Sequence, residues 1–224
     1  MINRLHSWIH QPGQGWDPVA PEYASEYAES EWRNINVVLI DQLEQRIGGF
    51  SGKRVLDLGG GPGQYSVAFA RRGARVTWHD VSRTYQKIAA RHAAEAGVQI
   101  VFSLGYLEEA DRLITDPFDF VFTRLAWCYC MNDRRFARLV YSLIKPEGAA
   151  YIESNTPRFE NPRGLKRLVY FLNNWFGWKI GHPHPPHGRL ASLLNGYPIT
   201  LMIPDYSNDL VDKIFLIKGK VTTS

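Results

Sequence analysis

Residues 55–63 read Val-Leu-Asp-Leu-Gly-Gly-Gly-Pro-Gly, and this stretch decides the fold. Val55, Leu56 and Leu58 give a short buried strand with Asp57 at its end, and Gly59, Gly60, Gly61 and Gly63 open a turn into a helix beginning near Gln64. Glycine has no Cβ to keep a ligand off the backbone and it accepts positive φ. Glycines two apart at 59, 61 and 63 therefore describe a loop shaped around a bound molecule. The spacing argues against two common phosphate cradles. A dinucleotide fingerprint needs Gly-x-Gly-x-x-Gly, whereas the third glycine here follows a single intervening residue, Pro62. No Lys-Ser or Lys-Thr pair follows, so a P-loop is an equally poor match.

Working outward, Arg75 to His79 reads as a second short strand ending at Asp80. A carboxylate in that place is acceptor-only and takes two donors at once. Together these residues resemble the class I S-adenosylmethionine-dependent methyltransferases, whose first motif runs acidic-x-Gly-x-Gly-x-Gly after the first strand. Asp57, Gly59, Gly61 and Gly63 match it position for position. The resemblance extends from about Trp16 to Lys218 and is strongest over 54–82. It implies a doubly wound, mostly parallel seven-stranded sheet with an antiparallel final strand, and N-terminal helices acting as a lid.

The same resemblance implies S-adenosylmethionine as cofactor. Its methionine portion would lie near Gly59, Gly60 and Gly61, its ribose at Asp80, and its adenine towards Leu104 to Leu107, with Val81 over one face. The family often carries an acidic residue after strand three, but Gly105-Tyr106-Leu107 stand there. A backbone group of Gly105 or Tyr106, or else Glu108, is the substitute. Arg124, just after the fourth strand, is counted with the cofactor residues. Its charge also suits an anionic substrate group or a pair with Asp133.

The remaining chain fits this frame. Its 224 residues suit one α/β domain, with 1–50 as the helical lid, 51–155 as the cofactor-binding core and 156–224 as substrate-side helices and two last strands. The net charge of +4 is modest and the acidic residues are dispersed, which disfavours a nucleic-acid partner. Polar residues break every apolar run of the first sixteen, leaving no secretory h-region, and no segment reaches the ~20 apolar residues of a membrane span. A cytoplasmic protein without membrane association is expected. Cys128 and Cys130, two apart, read as buried thiols rather than a disulfide or zinc site.

Strands are expected at 55–58, 76–79, 98–103, 118–123 and 149–153, with helices between them. Two more strands, 199–203 and 213–217, are too close for a crossover helix and should pair antiparallel. An aromatic-rich helix is expected at 165–176.

Methyl transfer is an in-line displacement, so the protein chiefly positions the acceptor and excludes water, and a general base helps where the acceptor is a hydroxyl. His182, His184 and His187 lie in a Pro-rich loop where related small-molecule enzymes build the acceptor pocket, and His184 and His187 are the candidate bases. No metal is expected, since the fourth ligand is missing. Tyr23, Tyr27, Trp127 and Tyr129 are the candidate substrate-lining aromatics; packing explains Tyr23 and Tyr27, or Trp127, equally well. The Asp/Asn-Pro-Pro-aromatic signature of nucleic-acid amino-methylating enzymes is absent after the fourth strand.

These residues favour methylation of a small molecule, on oxygen. The alternatives are an RNA or protein methyltransferase, for which Arg158, Arg163, Lys166 and Arg167 are the only local basic cluster, and a catalytically silent binding protein. The pattern specifies no oligomeric state.

Overall fold

A computed structural model describes residues 9–130, 132–156, 164–165, 167–169, 172 and 184–220. The helices are α1 (Pro21–Arg33), α2 (Val37–Ile47), α3 (Gln64–Arg71), α4 (Arg83–Glu95), α5 (Ala110–Leu113), α6 (Asp133–Leu143) and α7 (Arg189–Leu194). The strands are β1 (Arg54–Leu58), β2 (Arg75–Asp80), β3 (Ile100–Leu104), β4 (Phe118–Arg124), β5 (Ile144–Asn155), β6 (Ile199–Asn208) and β7 (Val211–Lys218). They form one sheet in the order β3-β2-β1-β4-β5-β7-β6. β1 to β5 pair parallel, while β7 runs antiparallel to both β5 and β6.

The period-2 alternation of the strands divides the core into two layers. Leu56, Leu58, Val121, Ile152 and Leu216 pack with Phe136, Val140 and Leu143 of α6 and with Leu190 and Leu194 of α7. Val55, Phe120, Phe122, Tyr151 and Phe215 face the other way, against Ile40 and Leu43 of α2 and Tyr65 and Phe69 of α3. Local caps start the helices where the residue types direct. Ser82 Oγ accepts from Tyr85 N at 3.1 Å, Asn36 Oδ1 from Leu39 N at 2.9 Å, and Asn132 Oδ1 from Arg135 N at 2.9 Å.

Two expected elements are corrected in extent. β6 and β7 reach a tight turn at Asp209 and Leu210 rather than leaving a ten-residue gap, and Asn208 Oδ1 accepts from Leu210 N at 2.9 Å. Pro204 and Asp205 read as a loop, yet an edge strand tolerates both because its outer backbone needs no partner. β5 begins at Ile144, not Ala149. Pro146-Glu147-Gly148 lies within it as an irregularity, with Glu147 at φ 62° and a register shift opposite Phe118 and Phe120. The helix expected at 165–176 falls largely outside the described residues. Cys128 and Cys130 are buried thiols not joined in a disulfide.

Candidate functional site

Parallel strands deliver their carboxyl ends to one edge, and strand order reverses between β1 and β4, where open α/β sheets bind ligands. The turn after β1 is fixed there by β2. His79 O accepts from Gly59 N at 2.8 Å and Gly60 N at 3.2 Å, and Trp78 Nε1 donates to Gly61 O at 3.0 Å. Asp80 Oδ2 accepts from Gly61 N at 3.0 Å while its Oδ1 accepts from Ser82 N at 2.9 Å. Both carboxylate oxygens are thereby oriented, each with a lone pair to spare.

The glycines do different work. A Cβ on Gly59 would collide with Ala126, on Gly60 with the Trp78 ring, and on Gly63 with Ala89 of α4. These three allow close packing inside the protein. Among the described residues, Gly61 alone of the four has nothing within 4 Å of where a Cβ would stand, and its φ is +49°. The ligand-shaped space that the sequence places over the whole run narrows to Gly61.

Asp57 is buried at the end of β1, where Ser66 Oγ donates to its Oδ2 at 2.6 Å. Burial pushes its carboxyl up to about 7 against that hydrogen bond, and the charge of Asp80 adds to the shift. Burial likewise raises Asp80, opposed by the backbone N–H groups of Ser82, Gly61 and Val81.

His79, fully buried, ties the end of β2 to the segment that follows β3. Its Nε2 lies 3.0 Å from Tyr106 O and its Nδ1 2.9 Å from Ser103 Oγ. A carbonyl only accepts, so Nε2 carries the proton. Burial depresses its pKa and keeps the ring neutral. Leu107 is buried and Tyr106 half-buried, its hydroxyl donating to His10 O at 2.8 Å. Trp16 stacks on Tyr106 with centroids 5.9 Å apart, and Asp17 Oδ2 accepts from Thr84 N and Oγ1 at 2.7 and 2.8 Å. Residues 9–20 therefore strap the segments that follow β2 and β3. No local pattern in Trp16-Asp17-Pro18 signals these partners.

α1 closes over the same edge. Trp32 Nε1 donates to Pro62 O at 3.1 Å, and Glu31 Oε2 accepts from Gln64 Nε2 at 2.9 Å and pairs with Arg124 Nη1 at 3.3 Å. Tyr23 stacks on Tyr27 with centroids 6.0 Å apart, and Tyr27 meets Tyr85 at 6.0 Å. Tyr85 was missed because it lies in an ordinary helical stripe.

Arg124 and Trp127 each had two readings. Among the described residues Arg124 does not pair with Asp133. Its Nε lies 3.0 Å from Glu153 Oε1, and its guanidinium stands 5.5 Å from the centroid of Tyr65, so two carboxylates already satisfy it. Trp127 takes the packing alternative. It is fully buried, donates to Asp133 Oδ1 at 2.8 Å and packs edge-on against Phe136. Tyr129 is exposed.

His182 lies outside the described residues. His187 is half-exposed, with Nδ1 2.7 Å from Oδ1 of the fully buried Asp212. Asp212 Oδ2 also accepts from Gly188 N at 2.8 Å, which fixes the carboxylate. β7 is antiparallel, so its beginning lies at the site edge, and Asp212 pairs in register with Ser154 near the end of β5. The sequence gives no hint of this aspartate, 25 residues from its histidine. His184 is half-buried and belongs to the same loop. Among the described residues, no cluster of three His, Cys, Asp or Glu side chains forms a metal site.

Residues 55–148 match the family model described as a methyltransferase domain. The chain is similar to the ubiquinone biosynthesis O-methyltransferase of Aeromonas salmonicida, at 32% identity over 135 residues, covering 60% of this chain and 56% of that protein. The Xylella fastidiosa protein of that name is 29% identical over 139 residues, covering 62% and 53%. The chain thus spans about half the length of the curated relatives it matches. A structure from Methanococcus maripaludis assigned to the S-adenosyl-L-methionine-dependent methyltransferases superposes with a TM-score of 0.65 at 18% identity, covering 91% of this chain and 95% of that one. Among the described residues, no helix is long and apolar enough to cross a membrane.

Proposed function

We propose, from the premise that residues 55–148 form a class I S-adenosylmethionine-dependent methyltransferase domain, that this chain transfers a methyl group from that cofactor to a hydroxyl oxygen of a small molecule. One observation carries the reading: Asp80 is held at the rim of the open space above Gly61, with both carboxylate oxygens aimed by backbone N–H groups and both able to accept more. These residues fit a nucleoside that brings a pair of sugar hydroxyls to an ionised acceptor.

When bound, S-adenosylmethionine supplies a methyl on a positively charged sulfur that departs as a neutral thioether. In this reading the methionine portion lies over Gly61, in the turn that Gly59, Gly60 and Gly63 pack into place, and Asp80 takes the ribose. Val81, Tyr106 and Leu107 border the adenine. Tyr23, Tyr27 and Tyr129 flank the acceptor, and α1 excludes water through its contacts to Pro62 and Gln64. Arg124 acts by positioning, since Glu31 and Glu153 hold it between lid and sheet.

Proton removal falls to His187. With Nδ1 of His187 2.7 Å from Asp212 Oδ1, the basic atom in this reading is Nε2, which takes the proton of the acceptor hydroxyl. Three strand spacings separate β1 from β7, about 14 Å at ~4.8 Å each, which leaves room for an acceptor ring between cofactor and base. His184 is the second candidate base. The acceptor class draws support from the relatives named as O-methyltransferases of ubiquinone biosynthesis.

Isothermal titration with S-adenosylmethionine and S-adenosylhomocysteine tests the cofactor. Micromolar binding that Asp80→Ala weakens is the expected outcome, and no binding at millimolar cofactor removes the reading. A coupled assay of S-adenosylhomocysteine release with matched phenol and aniline acceptors then tests oxygen against nitrogen.

A further inference from the structure

Away from the glycine turn, between α2 and the β5–β7–β6 end of the sheet, lies a cavity of about 250 Å³. Cross-strand register builds its floor. Tyr151, Phe215 and Ile203 form one row across three strands, and Glu153, Lys213 and Asp205 form the next. Val38, Leu39 and Leu43 of α2 make an apolar wall. The charges are unequal in their partners. Glu153 is taken by Arg124 at 3.0 Å, and Lys213 lies 3.8 Å from Asp205. Arg46, in the last turn of α2, makes no ion pair among the described residues, and its guanidinium stands 5.1 Å over the Phe215 ring.

We infer that this cavity is a second small-molecule site, for a carboxylate on a short apolar body. Arg46 takes the carboxylate, because a guanidinium offers paired donors to a planar anion and is only lightly engaged by an aromatic face. The apolar part lies against Leu39, Ile203 and Phe215, covering surface now open to water. A neutral ligand would leave Arg46 with only the more distant charge of Asp205, and a cation would meet Arg46 and Lys213. The site is separate from the cofactor edge but not isolated from it. Glu153 both lines the cavity and holds Arg124, which ties to Glu31 of the lid helix α1.

The inference does not depend on methyl transfer and is tested without it. The probe is phenylacetate, with phenylacetamide as its uncharged counterpart, titrated into the whole chain by ligand-observed NMR. The expected result is phenylacetate binding to the wild type, roughly tenfold or more weaker binding to Arg46→Gln, and weaker binding of the amide. Val38→Asp, at an exposed position on the wall, sets a like charge at the mouth and should weaken phenylacetate in the same way; it carries the test if Arg46→Gln does not fold. Saturating S-adenosylhomocysteine should leave the probe bound. Failure of phenylacetate to bind folded wild-type protein, equal affinity for Arg46→Gln and wild type, or displacement by S-adenosylhomocysteine overturns the inference. Cofactor affinity, titrated separately, reports independently on the glycine turn.

Discussion

The carboxylate of Asp80 and the main-chain N–H of Gly61 meet at 3.0 Å, so the last residue of β2 orients the turn leaving β1. Asp80→Asn keeps the size of the side chain but turns one acceptor into a donor that faces an N–H. Charge-assisted hydrogen bonds are each worth ~1.5–3 kcal/mol, so S-adenosylhomocysteine affinity should fall tenfold or more. Calorimetric titration beside a thermal melt checks this, with the melt expected to shift far less than the affinity.

Gly60 and Gly61 are adjacent, and alanine at each should fail differently. Gly60→Ala drives a Cβ into the Trp78 ring and should destabilise the fold by ~1–3 kcal/mol, seen in chemical denaturation. Gly61→Ala meets only the left-handed backbone penalty of ~1–2 kcal/mol, yet it fills the open space. It should abolish cofactor binding out of proportion to its effect on stability.

Asp57 gives a pH signature. Its folded pKa of about 7 stands above the ordinary 3.8, so between these values the folded protein holds a proton that the unfolded chain has released. The stability linked to this proton is complete below about 4 and is lost as pH rises through about 7. Asp57→Asn should flatten that slope, measured as the denaturant midpoint across the window.

Trp32→Phe keeps a ring beside His92 but removes the donor to Pro62. Losing one neutral hydrogen bond, worth ~0.5–1.5 kcal/mol, should speed amide exchange in α1 and weaken S-adenosylhomocysteine a few-fold. Unchanged exchange across residues 21–33 would count against the lid role.

For a hydroxyl acceptor, His187→Asn should lower kcat by ~10²–10⁴ with the cofactor dissociation constant unchanged. Asp212→Asn should lower it less, because the ring keeps its lone pair but loses its fixed orientation. A full rate in His187→Asn moves the base to His184 or removes it.

The fold was largely legible because its signals are local. The Val55 to Gly63 run, Ser82 before a helix and the close spacing of the last two strands each follow from a few neighbouring residues. The errors arose where a residue has two structural uses. Pro204 serves an edge strand as well as a loop, and Glu147 sits in a strand irregularity rather than before the strand. At the site, the glycine turn and Asp80 at the end of the next strand follow from neighbouring residues, whereas Arg124 and Trp127 were each left with two readings that only long-range packing decides. Asp212 was invisible because an isolated aspartate at the start of a strand resembles any turn residue.

The insertion of β7 between β5 and β6 has a consequence for assembly. In the proposed reading every nucleoside-facing group on the sheet edge has been synthesised by Arg124, while the acid beside His187 arrives 88 residues later, on a strand that must enter between β5 and β6. During biosynthesis, recognition of the proposed methyl donor can then precede competence to deprotonate an acceptor.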